Sequence, residues 1–102
     1  MKKTICDIDA ARELFFYVAN SAELYNDIRS VLKCLHRKAM KGQYVIDKAA
    51  DAFQYVVKHG AMMYTAEFGN GRYYDTFNKA TRQVTCGMLE DYFHENIMKG
   101  DF

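Results

Sequence analysis

The residues of this chain that could do chemistry are scattered. Cys6, Cys34 and Cys86 contain no Cys-x-x-Cys pair, and His36, His59 and His94 lie more than twenty residues apart. Cys34 and His36 are the nearest thiol and imidazole, but two positions apart on a helix their side chains point to different faces. Widely spaced thiols, odd in number, fit reduced cysteines of a cytosol better than a disulfide framework. Asp91 and His94, at i and i+3, match half of a di-iron carboxylate pattern; the second pair and the two further inward carboxylates that this chemistry needs are missing. No nucleophile with a positioned base, no paired acids and no cofactor fingerprint can be recognised by spacing. The sequence therefore predicts a protein that is not an enzyme and uses neither metal nor cofactor.

Two constellations suit recognition instead. Arg29, Lys33, Arg37 and Lys41 recur every four residues, with His36 and Lys38 adjacent. On a helix they form a basic ridge about 18 Å long, able to follow phosphates or meet an acidic protein surface. The alternative is an ordinary solvated face. The second constellation runs from Tyr64 to Phe77, where Tyr64, Phe68, Tyr73, Tyr74 and Phe77 surround Gly69-Asn70-Gly71 and Arg72. Tyrosine and arginine dominate binding hot spots because they combine rigid area with a polar handle, so Arg72, Tyr73 and Tyr74 form the preferred recognition site. Phe68 and Phe77 are expected to hold that loop onto the core. The glycines alone are a weak phosphate signal, since no strand precedes them and no Gly-Lys-Ser/Thr follows.

The elements that position these residues follow from periodicity. The 102 residues contain no proline, so helices can run long. A first short helix is expected over 7 to 19, capped by Asp7 or Asp9, with Ala10, Leu14, Phe15 and Val18 on one stripe. Asn20 with Glu23 resembles a capping box and predicts a restart there. The second helix, 21 to 40, has the cleanest stripe: Leu24, Ile28, Val31, Leu32, Leu35 and Ala39 fall within about 100° of arc. Gly42 suits the position just past its end. A third helix is expected over 47 to 68, capped by Asp47, with the row Ala50, Phe53, Val57, Gly60, Tyr64 and Phe68. Gly60 on that row predicts either close approach of a neighbour or a kink. A fourth is expected over 76 to 98, with Asp75 or Thr76 as cap, Gly87 as a weak point and Gly100 as terminator. Its buried face would hold Phe77, Ala80, Val84, Met88, Leu89, Tyr92, Phe93 and Ile97.

Four helices with short connections predict a single all-α domain over 1 to 102, a small bundle whose second and third helices pair antiparallel and whose contacts are mostly local. Half of the residues are hydrophobic and the net charge is +1. That excludes a disordered tail, and no apolar run approaches the ~20 residues of a membrane span. Residues 1–50 carry nine basic and six acidic side chains, residues 51–102 five and seven. Small DNA-binding domains are usually far more basic, so this balance favours a protein partner.

Leu24-Tyr25, Leu35, Arg37-Lys38, Lys41-Gly42-Gln43-Tyr44, Lys48-Ala49, Tyr64, Glu67-Phe68 and Arg82 together resemble a pattern in small all-helical accessory proteins of phages, prophages and plasmids. The resemblance spans residues 24 to 93 and departs at Tyr44-Val45, where the pattern has tyrosine-aspartate. It implies a bacterial cytoplasmic setting and action by binding: inhibition of a host defence such as restriction or CRISPR machinery, or regulation of the element's own genes. The expected partner is a host or element-encoded protein, with nucleic acid on the basic face and a second copy of the chain as the alternatives, and no membrane.

Overall fold

A computed structural model describes residues 7–43, 51–69 and 77–102. All regular structure among them is helical: α1 Ile8–Ala19, α2 Tyr25–Met40, α3 Gln54–Phe68, α4 Lys79–Tyr92 and α5 His94–Lys99. The expected all-α bundle with a short first helix is what the chain forms, with the fourth expected helix divided in two. No described helix is long and apolar enough to cross a membrane.

The caps account for the boundaries. Asp7 opens α1, its carboxylate accepting from the Ala10 N–H at 3.1 Å. Asn20 does not open the second helix; it closes the first, its side-chain amide donating to the Phe16 carbonyl at 2.9 Å. The chain then turns through Ser21 to Leu24 before α2 starts. Gly42, at φ 73°, follows the Lys41 cap, and the Gln43 N–H reaches back to the Lys38 carbonyl at 2.7 Å, as expected for a helix closed by a left-handed glycine. Asn78 caps α4 through its Oδ1, which accepts from the Thr81 N–H at 2.9 Å. The caps expected at Asp47 and at Asp75 or Thr76 lie outside the described residues, as does Ala50.

The core gathers Leu14 and Val18 of α1, Leu24, Ile28, Leu32 and Leu35 at and along α2, Phe53, Val57 and Tyr64 at and along α3, and Phe77, Leu89 and Ile97. The stripes of α1 and α2 are thus read correctly, and so is most of that of α3. Helix pairing is not. The first helix is the hub: α1 packs most extensively against α4 and then against α3, while α2 rests chiefly on α5 rather than pairing with α3. The reason is the α1 surface. Ala10 and Ala11 on α1 and Thr81 and Thr85 on α4 are all buried, which places short side chains on both helices in the interior. The hydroxyls do not go unmet there: Thr85 donates to the Ala11 carbonyl at 3.0 Å, and Thr81 Oγ1 accepts from the Asp7 N–H at 3.1 Å. Both hydrogen bonds join residues 74 apart in sequence, although most contacts of the fold remain local, as expected.

This seam also rotates α4 from its expected setting. Thr81, Thr85, Cys86 and Glu90 are buried beside Leu89, whereas Tyr92 is exposed and Ala80, Val84 and Met88 are half-buried. Gly87 leaves the helix unbroken. The break falls instead at Phe93, which ends α4 and starts α5.

Gly60 acts as a close-approach residue and not as a kink. Helix α3 is continuous through it, and a Cβ built there would lie 2.5 Å from Val18 Cγ2 and 3.3 Å from Leu24 Cδ1. Two phenol-to-carboxylate hydrogen bonds flank the same α1–α3 seam. Tyr64 donates to Glu13, and Tyr17 donates to Glu67 at 2.9 Å.

Candidate interaction surface

Helix α2 turns its apolar stripe inward, so Lys33, Arg37, Lys38 and Lys41 stand exposed on its other side. None of them takes part in an ion pair among the described residues, where the ion pairs are Asp9 with Arg12, Glu95 with Lys99, and Glu90 with His94. Arg29 leaves the ridge. Its guanidinium carbon sits 5.7 Å from the centroid of the Tyr25 ring, and its Nε is buried. The expected four-residue ridge is three exposed cations at four-residue spacing, with Lys38 beside them and Arg29 folded against an aromatic ring.

Arg72, Tyr73 and Tyr74 lie outside the described residues. Of the rings expected to anchor their loop, Phe77 is buried, whereas Phe68 is exposed and packs edge-on against Tyr17 and tilted against Tyr64.

A second aromatic group stands in the open. Phe16 is 55% and Tyr92 64% exposed. Phe15 bridges them, its ring centroid 5.4 Å from that of Phe16 and 5.5 Å from that of Tyr92. With Met88 they line an open groove of about 420 Å³ between α1 and α4, with Arg12 and Asp91 at its edges. Tyr92 also forms a wall of a smaller cavity of about 180 Å³, together with Tyr25, Ile28, Arg29, Leu32 and Phe93. Tyr25 is itself 55% exposed. Aromatic surface thus runs from Phe16 through Tyr92 to Tyr25 and Arg29, and from there one turn of α2 leads to Lys33.

Phe15-Phe16-Tyr17 held the signal for this patch. Three consecutive helical residues span about 200° of arc, more than one buried stripe can cover, so a ring in such a run must face solvent.

Near the groove, Glu90 is 2% exposed, and its Oε2 lies 3.2 Å from His94 Nδ1. A hydrogen bond with Glu90 is the main influence holding the Asp91 carboxyl above its ordinary range, with burial and the Glu90 charge adding to it. Among the described residues no three histidines, cysteines or carboxylates are grouped so that they could hold a metal. Elsewhere, Lys58, Lys79 and Arg82 line an open cleft of about 470 Å³ with Asp51 between the start of α3 and the start of α4.

Comparison with protein-family profiles, with curated proteins and with solved structures finds no match for this chain.

Proposed function

We propose that this chain works stoichiometrically, by binding an acidic protein surface, as an accessory protein of a phage or other mobile element directed against a host defence such as restriction or CRISPR machinery, and that it has no turnover of its own. The observation that carries this reading is the solvent-exposed aromatic strip of Phe16, Tyr92 and Tyr25 continuing into cations that have no partner within the described chain. Contiguous exposed rings are uncommon on a monomer's surface unless something covers them. An aromatic centre with a charged margin is the usual anatomy of a protein interface. The resemblance to mobile-element accessory proteins supplies the biological setting.

Affinity capture of the tagged chain from a bacterial lysate tests the reading, with three variants beside the wild type. Phe16→Ala with Tyr92→Ala, and Lys33→Glu with Arg37→Glu and Lys41→Glu, should each lose a prey that the wild type retains, with helicity intact. The same variants should lose protection of an infecting phage when expressed in a restricting host. Arg72→Ala with Tyr74→Ala reports on the glycine loop. A prey list unchanged in the first two variants would remove this surface as the site.

A nucleic-acid regulator is the second reading, favoured by the unpaired cations of α2. Salt separates the two. Binding through several phosphates falls by orders of magnitude between low and moderate salt, whereas an aromatic-centred protein contact falls less. Retention of random duplex at low salt, lost as salt is added, would promote the regulator.

A further inference from the structure

The cleft of about 470 Å³ between the start of α3 and the start of α4 concentrates charge of one sign. Among the described residues that line it, Lys58, Lys79 and Arg82 stand against the single carboxylate of Asp51. All three cations are accessible, Lys58 and Lys79 exposed and Arg82 half-buried. None of them forms an ion pair among the described residues, where the acidic members of such pairs are Asp9, Glu90 and Glu95. Arg82 is also held in place. One of its terminal nitrogens donates to the Phe77 carbonyl at 2.6 Å, which orients the guanidinium and leaves its other N–H groups without an acceptor among the described residues.

The chemistry of the ligand follows from this lining. Cations around one opening repel one another, so an anion entering the cleft is attracted by all three at once. Against Asp51 they leave a net of two positive charges. A phosphomonoester matches that balance, since it carries about −1.5 to −2 at pH 7 where a carboxylate carries a single charge. A guanidinium fork meets two of its oxygens, and a lysine meets the third as a point charge. The backbone end of α4 is already closed by the Asn78 side chain, so the donors on offer are side chains. The remaining wall is of another kind. Tyr55, 73% exposed, presents a ring face, and the amides of Gln54 and Gln83 each present donor and acceptor. Nucleobases stack on such rings and pair their edges with such amides. The volume also suits a molecule of that size, since small-ligand sites span about 300 to 1,000 Å³.

We propose that this cleft binds a nucleoside monophosphate, its phosphate among Lys58, Lys79 and Arg82 and its base against Tyr55. The cleft shares no residue with the aromatic strip or with the cations of α2, so the site goes beyond the partner reading and does not rest on it.

The common ribonucleoside monophosphates are the probes, titrated into the full chain at low salt by calorimetry and by NMR. Inorganic phosphate serves as the anion without a base, and the parent nucleosides as the base without the charge. At least one nucleotide should bind saturably at or below millimolar concentration and shift the signals of Tyr55, Lys58 and Lys79. Phosphate alone and the matching nucleoside should each bind at least about tenfold more weakly. Lys58→Ala with Lys79→Ala, both at exposed positions, should weaken nucleotide binding at least about tenfold with the helical spectrum retained. Tyr55→Ala should weaken it several-fold and leave the weak binding of inorganic phosphate unchanged. Lys99→Ala, at a cation of α5 that pairs with Glu95, should leave nucleotide affinity at the wild-type value. No saturable binding of any nucleotide, equal binding of inorganic phosphate, wild-type affinity in the Lys58 and Lys79 double variant or in Tyr55→Ala, or an equal loss in Lys99→Ala would each overturn the proposal.

Discussion

The His36 imidazole donates from Nδ1 to the Ile97 carbonyl at 2.6 Å, tying α2 to a helix 61 residues further along the chain. A carbonyl only accepts, so Nδ1 holds the proton and Nε2 is left facing Gly100. There a built Cβ would lie 2.7 Å from it. The ring also meets Phe102 edge-on at 5.8 Å. A helix of six residues cannot sustain itself, so α5 depends on such anchors. His36→Ala should cost about 1 to 2 kcal/mol in urea denaturation and speed amide exchange in α5 ahead of α2. Gly100→Ala should do similar harm, because φ there is 72° and the methyl would strike the imidazole.

Two glycines inside helices should respond with opposite signs. At Gly60 alanine gains about 1 kcal/mol of helix propensity but drives a methyl into Val18, so Gly60→Ala should lower stability by roughly 1 to 3 kcal/mol. At Gly87 nothing lies within 4 Å of the added methyl. Gly87→Ala should therefore raise stability by up to about 1 kcal/mol. Thermal denaturation of both variants checks the pair, and stabilisation by Gly60→Ala would contradict the close approach of α1 to α3.

On α2, adjacent positions should differ as sharply. Leu32 is buried, and Leu32→Ala should cost about 2 to 5 kcal/mol. Lys33→Ala, on the exposed face, should stay within about 0.5 kcal/mol of wild type.

Alkaline stability should carry a signature of Tyr17. Burial first, and then the hydrogen bond to Glu67 and the charge of that carboxylate, push its phenol from 10.0 up to about 12. The folded chain thus holds this proton more tightly than the unfolded one. The resulting stabilisation is complete below pH 10 and is lost as the pH rises towards about 12. Melting temperature should fall less steeply across that window in Tyr17→Phe than in wild type. A parallel decline in the two proteins would mean that Tyr17 titrates as an ordinary phenol.

Thiol labelling should separate two cysteines. Burial pushes the Cys86 thiol up to about 12, whereas Cys34 is partly accessible on α2. Alkylation at pH 8, read by peptide mass spectrometry, should modify Cys34 and spare Cys86 until denaturant is added.

The stripe of α2 was legible in the sequence because Leu24, Ile28, Leu32 and Leu35 repeat at helical spacing with nothing competing. The face of α4 was not. Thr81 and Thr85 look like surface residues until the Asp7 N–H and the Ala11 carbonyl are there to meet their hydroxyls, and those partners lie 74 residues away. Pairing failed for the same reason, since a stripe says that a face is buried without saying against what. At the candidate surface, the exposure of Lys33, Arg37 and Lys41 followed directly from the stripe. The departure of Arg29 from the ridge depended on the Tyr25 ring and the cavity wall, which only the assembled bundle supplies. The Arg72, Tyr73 and Tyr74 expectation lies outside the described residues.

The central position of α1 has a consequence for how the chain is made. A ribosome adding ~5–20 residues per second releases the first helix roughly 4 to 15 s before the last residue of α4 emerges. Throughout that interval Leu14 and Val18 have no completed pocket, although hairpin-like neighbours would have covered them in microseconds. The nascent chain therefore carries an open greasy stripe for most of its synthesis. A chaperone that shelters such stripes should raise the soluble yield of this protein more than that of a bundle in which each helix packs on the one made just before it.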